Sequence, residues 1–108
     1  MKTLLTILSA LTIMTDTTIY STLPAQSHRK EFVAINEGKT SIEVYTDADK
    51  NEISCSFIHA GQVVMSQSHT HHCYGITPDL VLPARVEVDI TNHENHSIHY
   101  IVRAKSVQ

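Results

Sequence analysis

Apolar and polar positions alternate with a period of two through most of the chain beyond residue 30. In "SIEVYT" (41–46), Ile42 and Val44 fall on one face and Glu43 and Tyr45 on the other. "EISCSFIH" (52–59) sets Ile53, Cys55 and Phe57 against Ser54 and Ser56. "RVEVDI" (85–90) and "SIHYIVRA" (97–104) repeat the pattern with Val86, Val88, Ile90 and Ile98, Tyr100, Val102. Successive side chains of an extended backbone point to opposite faces, so this period marks half-buried strands. Two further segments read as strands: the apolar run "EFVAIN" (31–36) and the long polar stretch "QVVMSQSHTHH" (62–72). Between them stand turn clusters, "DADKN" (47–51), "AG" (60–61) and "TNHENH" (91–96). Residues 26–31, "QSHRKE", read as a loose lead-in.

No helical period is sustained beyond the first residues. Short, evenly spaced strands with polar turns predict an all-β fold, a small Ig-like antiparallel β-sandwich of six or seven strands. Trp is absent, so the buried Trp of the antibody-type core is missing.

The N-terminus has a different character. Lys2 precedes "LLTILSALTIM" (Leu4 to Met14), an uncharged apolar run too short to cross a bilayer, and a polar segment follows. That order is the order of a secretory signal peptide, and Ala25 after Pro24 is the expected cleavage point. The expectation is a leader over 1–25, a single β-sandwich domain over 26–108, and export to the periplasm or the cell exterior with no membrane span in the mature form.

Composition narrows the chemistry. The net charge is −3 with neutral histidines and there is no basic run, which excludes nucleic acid as a natural partner. Eight histidines would carry the charge from −3 to +5 if all were protonated. The two cysteines, Cys55 and Cys73, are expected to form one disulfide in an oxidising compartment.

The stretch "SQSHTHHCYG" (66–75) sets a second reading against that one. On a continuous strand His69, His71 and Cys73 share a face, together with Val63 and Met65, and imidazole and thiolate are ligands suited to copper or zinc. His99, with His93 and His96 around the last hairpin, would complete such a site. A Cys55–Cys73 disulfide would remove its thiolate.

Enzymatic motifs are absent: there is no G-x-S-x-G, no H-E-x-x-H and no Gly-rich phosphate loop. Asp47 and Asp49 read as turn residues. The expectation is a non-enzymatic module without a cofactor that binds another protein chain, with the strand through Val63, Met65, Gln67 and His69 offered as an edge for pairing. The alternatives are a copper or zinc binder and a self-associating structural subunit of a surface assembly.

Residues 76–100 carry an "I-T-P-D" turn, an "R-V-E-V-D-I-T" strand and an "S-I-H-Y" return strand. This third of the chain resembles the closing strands of curli-assembly chaperones, which implies an exported Ig-like sandwich that restrains a partner polypeptide. One branch of that family carries a C-x-C pair, whereas here Ser56 and Phe57 follow Cys55. No functional residue is carried over. The stretch "VDITNHENHSIHYIV" (88–102) also resembles a cupredoxin strand pair, in line with the metal alternative.

Overall fold

The computed structural model describes residues 16–35 and 38–107. The apolar run of the expected leader lies outside the described residues. Among the described residues there are eight strands: β1 (Asp16–Leu23), β2 (Ser27–Ile35), β3 (Lys39–Thr46), β4 (Ile53–His59), β5 (Gln62–Thr70), β6 (His72–Ile76), β7 (Ala84–Asn92) and β8 (Ile98–Val107). They form two four-stranded antiparallel sheets, ordered β1-β8-β3-β6 and β2-β7-β4-β5.

The alternation read from the sequence holds: Ile42, Val44, Ile53, Val86, Val88, Ile90 and Ile98 are all fully buried between the sheets. Burying these side chains, at roughly 25 cal/mol per Å² of apolar surface, is what drives the two layers together. The Ig-like topology is corrected. An Ig sandwich pairs its first strand with its second, whereas here β1 pairs with β8 and the order is that of a jelly roll. Except at β4–β5, each connection between successive strands crosses from one sheet to the other. Ala60 and Gly61 close that single hairpin with φ of 51° and 79°, the left-handed pair that a two-residue hairpin needs for its strands to twist correctly.

Two further departures account for the strand count. Residues 62–72 are two strands, because the chain leaves one sheet after Thr70 and enters the other at His72. Residues 16–23, read as part of the leader, form β1, which runs in register along β8 from Asp16↔Lys105 to Leu23↔Ile98. Leu23 is buried in the core. Likewise the expected lead-in over 26–31 is mostly the first half of β2.

Both open sides of the sandwich are fastened. On one, Arg29 of β2 donates to the Ser21 hydroxyl and the Thr22 carbonyl of β1. The buried Tyr100 hydroxyl donates to Glu31 nearby. On the other, a disulfide joins Cys55 of β4 to Cys73 of β6 across the two sheets. Gly75, two residues on, takes the close approach of Phe57: a Cβ there would meet the ring at 3.1 Å.

Candidate functional site

The disulfide uses up the only two thiols in the chain. Cys73 is therefore no ligand, and the cluster read from "SHTHHC" does not assemble. His69 is the next-to-last residue of β5 in one sheet and is exposed, with a left-handed φ of 56° at an irregularity in the β4–β5 register. His71 lies in the crossing to the other sheet, its Nδ1 2.5 Å from Asn51 Oδ1. His99 is on the outer face of β8, paired with Asp47 at 2.9 Å.

The edge proposed for pairing is also revised. β5 is indeed an edge strand, but two register shifts interrupt it. Val63 pairs with Ile58 and Met65 with Phe57, so an extra residue separates them and they point to opposite faces. Val63 is exposed, Met65 packs against the core, and Gln67 turns across the gap to accept the Tyr74 N–H of β6 at 2.8 Å. Bulges twist an edge out of register with an incoming strand, so this one is protected against pairing.

What the structure does bring together lies at the end where the β3–β4 and β7–β8 loops meet. Alternate residues of the first loop each take a histidine: Asp47 takes His99, Asp49 takes His96 and Asn51 takes His71. The second loop is pinned from below. Buried Asn92 donates to the carbonyls of Pro24 and His96, and Gln26 donates to those of His93 and Glu94. Asp47 and Asp49 are held below the usual carboxylate range by their hydrogen bonds to His99 and His96. The His96 imidazole is raised, first by the Ser97 carbonyl and then by Asp49. Reading Asp47 and Asp49 as plain turn residues missed these pairings, because their partners stand some fifty positions away (47 to 99, 49 to 96).

A second surface feature crosses the outer face of the β1-β8-β3-β6 sheet. Tyr20, Ile101, Tyr45 and His72 stand opposite one another in register, one from each strand. Tyr20 is 75% exposed and Tyr45 39%. The Tyr45 and His72 rings stack 4.7 Å apart at an interplanar angle of 12°. Glu43 holds both, accepting the Tyr45 hydroxyl at 2.7 Å with His72 Nε2 at 3.3 Å. The adjacent row is Thr18, Arg103, Glu43 and Tyr74, and Tyr74 and Ile76 are about half exposed. A shallow depression of about 380 Å³ opens between Thr18, Tyr20, Tyr45, Ile101 and Arg103.

No protein-family model matches the chain, and no curated protein sequence matches it. Its fold is similar to that of the pre-peptidase C-terminal domain of collagenase from Bacillus anthracis, with a TM-score of 0.65 at 13% identity over 84% of this chain and 90% of that one. It is also similar to the periplasmic inhibitor of g-type lysozyme from Aeromonas hydrophila, with a TM-score of 0.54 at 8% identity over 85% and 86%. At these identities the likeness is one of fold, a two-sheet β-sandwich. Among the described residues no helix is long and apolar enough to cross a membrane.

Proposed function

We propose that this chain is an exported, non-enzymatic β-sandwich that binds another polypeptide through the outer face of its β1-β8-β3-β6 sheet. The row Tyr20–Ile101–Tyr45–His72 carries the reading. Tyrosines and arginine are enriched at the centres of protein interfaces because a large, stiff side chain buries much apolar area at low entropic cost. Here Tyr45 and His72 stand on a sheet, already ordered by the Glu43 contacts, so binding need not freeze those two. The inter-sheet disulfide supports export, since such bonds persist in oxidising compartments. On a similar fold, the Aeromonas protein acts as an inhibitor of lysozyme.

The test is co-purification from the periplasm of the untagged protein against the Tyr20→Ala/Tyr45→Ala double variant, with Phe32→Ala on the opposite sheet as control. The expected result is a partner retained by the parent and by Phe32→Ala and lost by the double variant, whose thermal midpoint is unchanged. Each truncated aromatic at an interface centre is worth about 1–2 kcal/mol, so the pair should weaken binding at least about tenfold. Equal retention by all three proteins would sink the reading. Loss of an oligomer of the protein itself would move it to a self-assembling subunit.

A further inference from the structure

We propose that Asp49, Glu94 and His96 form a zinc(II) site at the loop end of the sandwich, independent of the partner-binding face. One donor atom from each lies within 4.8 Å of the others. Ligands on zinc bonds of 2.0–2.2 Å at tetrahedral angles stand about 3.4 Å apart. His96 Nε2 is 2.9 Å from Glu94 Oε1 and 3.3 Å from Asp49 Oδ1, so small side-chain adjustments reach that spacing.

The decisive group is Glu94. It is 0% exposed. Its Oε2 accepts the backbone N–H of Lys50 at 3.1 Å and that of Glu52 at 3.5 Å. Its Oε1 is turned into the cluster, 2.9 Å from His96 Nε2, and among the described residues no other donor is aligned with it. A buried carboxylate oxygen in that state needs a positive charge in front of it. The His96 ring is arranged to share the site. Its Nδ1 is 2.9 Å from the Ser97 carbonyl oxygen. With Nδ1–H donating there, the Nε2 lone pair faces the two carboxylates. Histidines that bind metal are oriented in this way by a hydrogen bond from the other ring nitrogen. Two carboxylates and one imidazole are a donor set that zinc accepts, with the fourth position open to water on the solvent side, where Asp49 and His96 are exposed.

The competing occupant is a proton on Nε2, which would leave an imidazolium between two carboxylates and no metal. Zinc titration of the chelator-treated, full-length protein by calorimetry distinguishes them, with His96 ring resonances followed by NMR. The expected result is one zinc ion per chain with micromolar affinity, a shift of the His96 resonances, and binding weakened at least about tenfold by Asp49→Asn. Glu94→Gln should act in the same way, and Asp49→Asn, at an exposed position, keeps the test open if the buried variant does not fold. His69→Ala/His71→Ala should leave binding unchanged. Zinc affinity unaltered by Asp49→Asn, abolished by the His69/His71 variant, or weaker than millimolar would each overturn the proposal. So would calcium binding at the same positions with equal affinity.

Discussion

Breaking the Cys55–Cys73 bridge is a perturbation whose magnitude follows directly from the structure. The bridge links β4 to β6 at a sequence separation of 18 residues. Closing a loop of that length removes about 11 cal/mol/K of entropy from the unfolded chain, or about 3 kcal/mol at 25 °C. The double variant Cys55→Ala/Cys73→Ala also deletes two sulfur atoms from a site where both residues are almost wholly buried. Each removed group of that size costs on the order of 0.8 kcal/mol of burial, which brings the total to about 4–5 kcal/mol. Whole domains are stable by only about 5–15 kcal/mol, so the double variant sits near the folding threshold. Urea unfolding followed by far-UV circular dichroism measures this on three samples: oxidised protein, reduced and alkylation-checked protein, and the double variant. The oxidised protein should exceed the reduced one by about 3 kcal/mol, and a thermal midpoint should fall by about 12–24 °C on reduction. The urea slope should rise, because an uncrosslinked unfolded chain exposes more surface. A difference below about 1 kcal/mol, with complete reduction confirmed by intact mass, would refute the argument. It would mean that packing between the sheets already holds the loop.

Two other predictions follow from the fold. A chain beginning at Asp16 should fold, whereas one beginning at Gln26 should not. The second lacks the β1–β8 ladder, the burial of Leu23 at about 2 kcal/mol, and the Leu23 and Pro24 carbonyls that accept from Asn92. Circular dichroism of the two proteins checks this, and a mature N-terminus mapped upstream of Asp16 would agree with it. Asp89 has its pKa raised by desolvation first and then by Glu87. A carboxyl whose folded pKa lies above its unfolded value opposes folding once pH passes the unfolded value of 3.8. Asp89→Asn should therefore stabilise the protein at pH 7 by up to about 1 kcal/mol, the scale of a solvent-screened charge. The gain should vanish as pH falls below 3.8, where both states bind the proton. A gain that persists there would show that the effect is steric.

The sequence by itself determined the class of fold, the faces of most strands and the pairing of its two cysteines. The inward set Ile42, Val44, Ile53, Phe57, Val86, Val88 and Ile90 is legible because side-chain alternation depends only on neighbours along one extended segment. Four things escaped it for one physical reason: the fold joins residues far apart in sequence. "TTIYSTL" looks like the polar end of a leader until its hydrogen bonds to β8 are seen. The strand read through 62–72 has two register shifts and a change of sheet, and a one-residue slip reverses every side chain beyond it. One slip sent Val63 and Met65 to opposite faces, and the change of sheet parted His69 from Cys73. The aromatic row draws one residue from each of four strands, and the Asp49–Glu94–His96 cluster joins two loops across the end of the sandwich. Local periodicity sets which way each side chain points, and only the jelly-roll order of the strands sets which side chains meet.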